Sequence, residues 1–291
     1  MRFLTKFFVI TRAWSFTMSF VSVSLAAAVA AEDTKIAFSL YALTLLGSFM
    51  IHGAANTLND YLDFKNKIDS PGSPTALYRP HPVFNNILTQ RQLLYFSLAL
   101  FFLSLVLGII LAILFSAWLW LLILAGFSIA IFYTIAPRGF KYIALGEAAV
   151  FLAFGPILME GAYCIQRGYL SSRVFWISIP VGIWVALVLF ANNLRDVESD
   201  LQCNIKTIPC LMSKASALKA FAIASVIPYA LICILIFANI LKPASLAVFL
   251  SLPFTIKLIN DFHNNIPLDS DSRASRCALI FGMLLLFTLL F

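Results

Sequence analysis

Long apolar runs separated by short polar segments repeat along the whole chain. Nine of them approach the length of about 20 residues that a membrane-crossing helix needs. They are 13–31, 36–56, 92–115, 117–135, 143–163, 174–193, 219–239, 242–259 and 275–291. The breaks at Ser116 and at Lys242–Pro243 are so short that the helices flanking each must form an antiparallel hairpin. The pattern predicts an all-α polytopic membrane protein, a bundle of nine transmembrane helices forming one membrane-embedded domain over 1–291. The first run has a basic start, an apolar centre and an A-x-A-like end, as a cleaved signal peptide does. It is longer than a usual signal core and a second run follows at once, so it reads as the first span.

The large polar segments are 57–91, 194–218 and 260–274, and with nine spans all three fall on one side. Lysine and arginine choose that side, because basic residues accumulate in cytoplasmic loops. With the N-terminus in the cytoplasm, the inner segments hold Arg2, Lys6, Arg12, Lys65, Lys67, Arg79, Arg91, Arg138, Lys141, Arg195, Lys206, Lys214, Lys219, Lys257, Arg273 and Arg276. The outer segments hold Lys35, Arg167, Arg173 and Lys242, a ratio of 16 to 4 that favours N-in, C-out. The expected location is a cell (inner) membrane, with the working face toward the cytoplasm.

Composition agrees with this reading. Hydrophobic residues make up 62% and charged residues 11%, against about 25% charged in a soluble domain. The net charge of +7 sits in loops with no basic stripe, so nucleic acid is not an expected partner, and no obligate protein partner is evident. Cys164, Cys203, Cys210, Cys233 and Cys277 are scattered, with no histidine near them, and read as neither a zinc site nor a disulfide framework.

The acids fall into two sets. In "NTLNDYLD", Asn56, Asn59, Asp60 and Asp63 stand at i, i+3, i+4 and i+7, one face of a helix. Asp69 follows. In "NNLRDVESD", Asn192, Asp196 and Asp200 stand at i, i+4 and i+8, with Arg195 beside them. The sets end the second and sixth spans, which run in the same direction, so both lie at one depth. Facing carboxylate clusters repel unless a cation lies between them. Mg²⁺, which prefers oxygen ligands and is often shared with a substrate phosphate, suits them.

These motifs resemble the UbiA-type intramembrane prenyltransferases, and the resemblance covers nearly the whole chain. "RAWSF" (Arg12 to Phe16) is similar to the family's start. "YTIAPRGFKYIALGEAAVFLAFGPI" (Tyr133 to Ile157) and "NNLRDVESD" with Lys206–Thr207 resemble the 1,4-dihydroxy-2-naphthoate polyprenyltransferase branch. The segment "SPGSPTALYRPHP" stands where that branch often carries a glycine-rich stretch. The resemblance implies Mg²⁺-dependent transfer of a polyprenyl group from its diphosphate to an aromatic acceptor, a dihydroxynaphthoate in quinone biosynthesis, with loss of the ring carboxylate. It implies Asp60, Asp63, Asp196 and Asp200 as metal-holding catalytic residues, with Asn56 and Asn192 as further oxygen ligands. Lys141, Arg195 and Lys206 become phosphate clamps, Tyr133 a hydrogen-bond donor, and Asn59 and Asp69 part of the substrate site. Arg79 is the candidate for the acceptor's carboxylate, its alternative being a solvated loop arginine.

Other residues carry weaker readings. Glu147 is a candidate to orient the 133–141 loop, and Glu160 is structural. His52 is a satisfied buried histidine, while His81 and His263 are solvated. Asp261, Asp269 and Asp271 belong to a solvated turn. Two other functions stay open: the same chemistry on another acceptor (a phenolic acid, a porphyrin-type ring or a lipid alcohol), and cation-coupled transport. Transporter sites lie near the bilayer midplane, whereas these acids stand at helix ends.

Overall fold

In the computed structural model residues 3–135 and 139–290 are described; Arg2 and Arg138 of the charge count and Phe291 of the ninth run lie outside them. A short helix α1 (Phe3–Ile10) leads through Arg12, whose φ of 53° is left-handed, and a 3-10 turn at Ala13–Ser15 into α2 (Phe16–Ala31). Then follow α3 (Phe38–Lys65), α4 (Pro74–Tyr78), α5 (Gln90–Phe115), α6 (Trp118–Phe132), α7 (Gly146–Leu152), α8 (Leu158–Arg167), α9 (Ser172–Gln202), α10 (Lys214–Phe237), α11 (Leu252–Asn264) and α12 (Ser270–Leu290). Among the described residues there is no strand, only an isolated bridge between Ile143 and Lys206.

Eight helical stretches are long and apolar enough to cross a membrane. The fourth predicted run becomes α6, a shorter apolar helix of 15 residues. Two helices outrun their apolar cores: α3 continues to Lys65 and α9 to Gln202. Helix formation needs no apolar side chain, and the i, i+4 polar pairs at these ends support the extra turns. The fifth run is interrupted by a π turn at Ala153–Ile157 containing Pro156. Proline has no N–H for the helical ladder, and π bulges absorb such faults. Gly155 there lies against α9: a Cβ on it would stand 3.0 Å from the Ser178 carbonyl, and one on Gly182 2.8 Å from Phe151. The eighth run opens as a 3-10 helix, Pro243–Ser251, before α11.

Chain connections gather at two ends. At one end Gln166 bonds the Ala37 backbone, Arg173 pairs with Glu32 at 2.5 Å and donates to the Ile240 carbonyl at 3.0 Å. At the other end meet Arg12, the C-terminal turns of α3 and α9, the 133–145 segment and the start of α12.

Between these ends the bundle is solid on one side and hollow on the other. α2, α9, α10, α11 and α12 share the main core. Trp184 sits there 6.5 Å from the Tyr229 ring and 6.0 Å from Phe281, and Phe221 stacks on Phe262 at 4.9 Å. Lipid removes most of the hydrophobic drive between helices, leaving close contact and interhelical hydrogen bonds of about 0.6 kcal/mol each. Tyr229 Oη supplies two, with Ser251 at 2.7 Å and Thr255 at 2.8 Å. The outer surface carries exposed Phe102, Leu124, Ile223 and Phe237, apolar groups suited to lipid contact. On the other side, α3, α5, α6 and α8 enclose a cavity.

Candidate active site

The cavity has a volume of about 400 Å³ and runs from a polar mouth into an apolar interior. Asn56, Asn59, Asp63 and Asp69 line the mouth from one acid set, and Asn192, Asp196 and Asp200 from the other. Tyr133 and Lys141 lie on its wall. Helical continuation of α3 and α9 brings the two sets to one opening, with one correction: Asp60, expected among the metal-holding acids, is turned away from it.

Each acid has its own partners. Asp60 is fully buried and does not reach the cavity wall. It accepts from Arg12 and, at 2.8 and 3.3 Å, from both terminal nitrogens of Arg79. Asp63 accepts from Lys141 Nζ at 2.5 Å, Asn59 Nδ2 at 2.8 Å and the Tyr142 hydroxyl at 3.2 Å. The Asn59 amide oxygen accepts from Lys141 and Thr134, both at 3.3 Å, so Asn59 braces Asp63 and Lys141 together. Burial pulls the Lys141 ammonium toward its neutral form, and the Asp63 charge more than offsets this, holding it protonated. Asp196 is gripped by Arg195 Nε and Nη2, both at 2.8 Å, and by Asn192 Nδ2 at 3.1 Å.

Several expectations are corrected by these contacts. Arg79 is neither solvated nor placed for an acceptor carboxylate: its side chain is 6% exposed, outside the cavity lining, and bound to Asp60. Lys206 has an exposed side chain and lies outside the cavity lining, and its backbone N–H donates to the Tyr142 carbonyl at 3.2 Å. The amide oxygen of Asn192, expected to face a metal, accepts from Arg195 at 2.8 Å. Glu147, expected to orient the 133–141 loop, accepts from Asn193 Nδ2 at 3.0 Å and bonds none of the described residues of that loop. Asp271 lines the mouth and accepts from Arg195 at 3.3 Å, whereas Asp261 and Asp269 pair with Arg273 at the partly exposed surface. Glu160 caps the Ser171 backbone N–H at 2.9 Å, a structural role.

The protonation of two histidines is resolved by their partners. His52 is buried between two hydroxyls: Ser15 Oγ at 3.1 Å from Nε2 and Ser19 Oγ at 2.9 Å from Nδ1. Ser15 gives its own proton to the Arg12 carbonyl at 2.8 Å and accepts from Asn56 Nδ2 at 3.1 Å. His52 Nε2 must therefore be the donor and Nδ1 the acceptor. This network holds the left-handed Arg12 beside Asp60. His81, expected to be solvated, is 1% exposed. Its Nδ1 accepts the backbone N–H groups of Val83 and Phe84 at 3.2 and 3.4 Å, so its proton is on Nε2. Burial pushes this imidazole down to about 4, and it is neutral at pH 7.

His81 Nε2 points at Asp69 Oδ2, 3.7 Å away, and among the described residues neither buried atom has a hydrogen-bond partner. Asp60, Asp69 and His81 each place a ligand atom within 4.8 Å of the others. A protonated Nε2 has no lone pair for a metal, and Asp60 is taken by two guanidiniums, so that trio is a poor cation seat. The carboxylates offer a better one. Four cations (Arg12, Arg79, Lys141 and Arg195) are matched to Asp60, Asp63 and Asp196. Among the described residues Asp69 Oδ2 accepts no hydrogen bond, and the Asp200 carboxylate accepts one, at 3.5 Å from Thr207. Burial, reinforced by Asp63, pushes the Asp69 carboxyl up to about 6. Uncompensated oxygen ligands thus remain at the mouth, one from each acid set, and an oxygen-seeking divalent cation fits them.

Sequence reasoning gave no role to Arg12, Tyr142 or Thr134. Arg12 was legible as the one cation at the entrance of the first span. Tyr142 and Thr134 carried no signal, because both stand outside regular α-helix, where no period fixes where a side chain points.

A many-spanning helical membrane protein with a carboxylate-lined, apolar-floored cavity is the class that fold and site define. The UbiA prenyltransferase family matches residues 20–288, and the chain belongs to it; it is a prenyltransferase. It is 29% identical over 259 residues to a Bacillus subtilis 1,4-dihydroxy-2-naphthoate octaprenyltransferase, covering 88% of this chain and 81% of that one. It is 27% identical over 280 residues to the Danio rerio UbiA prenyltransferase domain-containing protein 1, covering 95% and 81%. The fold is shared with a UbiA homolog from Archaeoglobus fulgidus bound to GPP and Mg²⁺, at TM-score 0.68, 16% identity and coverage of 97% and 99%. It is also shared with a UbiA homolog from Aeropyrum pernix K1, at TM-score 0.69, 17% identity and coverage of 99% and 98%.

Proposed function

We propose that this prenyltransferase moves a polyprenyl group from its diphosphate to an aromatic acceptor, 1,4-dihydroxy-2-naphthoate being the favoured one, on the route to a menaquinone. The observation that carries the transfer reading is the cavity, whose carboxylate and lysine mouth opens onto an apolar interior. One molecule that is charged at one end and hydrocarbon beyond fits that gradient. The acceptor is supported by the naphthoate-type motifs of the sequence and by the Bacillus subtilis relative.

In this reading Asp63, Asp69, Asp196 and Asp200 hold Mg²⁺, with Asn56 beside them and Asp60 anchoring Arg12. The ion supplies Lewis acidity that neutralises charge on the departing diphosphate. Lys141, already protonated beside Asp63, offers its remaining N–H to phosphate oxygens, and Tyr133 stands on the same wall. The C1–O bond of the allylic diphosphate breaks, the electron-rich ring carbon attacks C1, and the ring carbon then loses its carboxylate as CO₂. Phe154, Ile157 and Leu158 below the mouth exclude water from the cationic carbon. The protein is a single domain of nine spans in a cell (inner) membrane, N-in and C-out, with the mouth toward the cytoplasm. Its partners are the two substrates and the bilayer, not nucleic acid or an obligate protein.

The test is incubation of purified protein with polyprenyl diphosphate, Mg²⁺ and a panel of aromatic acceptors, read by mass spectrometry. Prenylation of dihydroxynaphthoate in preference to 4-hydroxybenzoate is expected. Preference for another acceptor moves the reading to that ring, and proteoliposome cation flux without prenyl transfer overturns it.

A further inference from the structure

The carboxylates at the mouth are not held alike. Asp63 takes three hydrogen bonds from Asn59, Lys141 and Tyr142, and Asp196 takes three from Arg195 and Asn192. Asp69 is fixed only through its backbone. Lys67 turns left-handed at φ 58° just after α3, and the N–H groups of Ile68 and Asp69 both donate to the Asp63 carbonyl, at 2.9 and 3.2 Å. Such bonds satisfy the last carbonyls of a helix, and they leave the side chain of Asp69 among those that line the cavity. Among the described residues no hydrogen bond reaches its carboxylate, and the one basic side chain paired with it is His81.

His81, by contrast, is fixed at each of its other polar atoms. Its backbone N–H donates to Asn85 Oδ1 at 2.7 Å, its carbonyl accepts the Asn85 N–H at 3.0 Å, and its Nδ1 accepts from the Val83 and Phe84 amides. Its ring packs on Phe84 at 4.3 Å and on Phe64 of α3 at 6.2 Å. What remains is the Nε2–H, buried and facing Asp69 Oδ2. The two oxygens of Asp69 therefore meet different surroundings. Oδ2 is buried beside His81, so Oδ1 is the oxygen that this residue can present to the cavity it lines. The 3.7 Å between Nε2 and Oδ2 is longer than a hydrogen bond. The imidazole cannot close that gap without breaking its turn, whereas the carboxylate, with no other anchor, can rotate to meet it.

We propose that His81 is a positioning residue for the metal site: its Nε2–H holds Asp69 Oδ2 and so presents Oδ1 to the cation. The inference rests on the metal reading of the mouth and adds to it a residue that touches neither the cation nor the substrates. Losing an outer hydrogen-bond partner of a metal ligand typically costs about 10–100-fold in affinity. A purely structural histidine accounts for the amide contacts and the ring packing, but not for a buried N–H left facing an acid.

Two substitutions take the roles of the ring apart. Asparagine side chains accept backbone N–H groups two residues on, so His81→Asn keeps an acceptor for the turn and loses the donor to Asp69. His81→Gln keeps an N–H near the Nε2 position and loses the turn acceptor. The experiment measures Mn²⁺ affinity by electron paramagnetic resonance, with the unreactive donor geranyl S-thiolodiphosphate present, and follows thermal unfolding in parallel. His81→Asn should bind Mn²⁺ about 10–100-fold more weakly while melting near wild type, and raised Mg²⁺ should recover its rate. His81→Gln should melt lower and keep affinity near wild type. In an Asp69→Ala background His81→Asn should change the affinity no further, because the group it holds is gone. Affinity that tracks melting temperature in both variants, wild-type affinity in His81→Asn, or additive losses with Asp69→Ala overturns the assignment and leaves the metal site standing. Absence of Mn²⁺ binding that Mg²⁺ can displace in wild type overturns the metal reading itself.

Discussion

Lys141 Nζ lies 2.5 Å from Asp63 Oδ2, joining the segment after α6 to the last turns of α3 across 78 residues of sequence. The contact turns an acid that sequence spacing assigns to metal binding into half of an ion pair on the cavity wall. Lys141→Met removes both the anchor for Asp63 and the N–H offered to phosphate. Loss of one preorganised donor in such a site costs about 10²–10³ in kcat. The expected outcome is a fall of that size, with a lower melting temperature in detergent as well, because Asp63 is left buried without its cation and keeps only Asn59 and Tyr142 as donors. Undiminished turnover removes Lys141 from the phosphate site.

Arg79→Ala is expected to act on folding. Removing one partner of a buried ion pair costs about 3–5 kcal/mol, moderated here because Arg12 still faces Asp60. Thermal unfolding should show the loss. Residual activity should fall equally on dihydroxynaphthoate and on a decarboxylated naphthol, because Arg79 lies outside the cavity lining. A selective loss on the acid would restore Arg79 as an acceptor contact.

Chelation by EDTA should abolish turnover, and Mg²⁺ or Mn²⁺ should restore it, because the uncompensated groups at the mouth are carboxylate oxygens. Asp69→Asn and Asp200→Asn should each raise the Mg²⁺ needed for half-maximal rate by about tenfold or more, since even outer-shell partners of a metal act on that scale. Full activity in chelator would show that the acids serve another purpose.

His81 should not ligate the metal, because the Val83 and Phe84 amides hold its proton on Nε2. Electron spin-echo spectra of the Mn²⁺-loaded protein should lack coupling to a directly bound imidazole nitrogen. His81→Ala should still destabilise the 81–84 turn, by about 1–2 kcal/mol, through two backbone donors left unpaired. Imidazole coupling that disappears in this variant would reverse the assignment.

The topology gives a labelling pattern. Cys203 is exposed just beyond α9 and Lys242 is exposed between α10 and the following 3-10 helix. An impermeant thiol reagent should label native Cys203 from the cytoplasmic side, with Cys210 replaced, and Lys242→Cys from the outside. Labelling of both from one side would contradict the basic-residue asymmetry.

Much of this protein was determined by its sequence alone. Apolar runs of bilayer length, interrupted by polar segments, dictate membrane helices because lipid offers backbone groups no other partner. Helical periodicity put Asn56, Asn59, Asp60 and Asp63 on one face, and Asn192, Asp196 and Asp200 on another, and all of these but Asp60 line the cavity. The tertiary structure decided which acid meets which cation. Arg79, His81 and Lys206 all stand in irregular segments, where no period constrains direction. Packing buries the first two and leaves the third exposed. The hollow between α3, α5, α6 and α8 was equally illegible. Its walls come from separate helices, and side chains that distant in sequence become neighbours only when the helices pack.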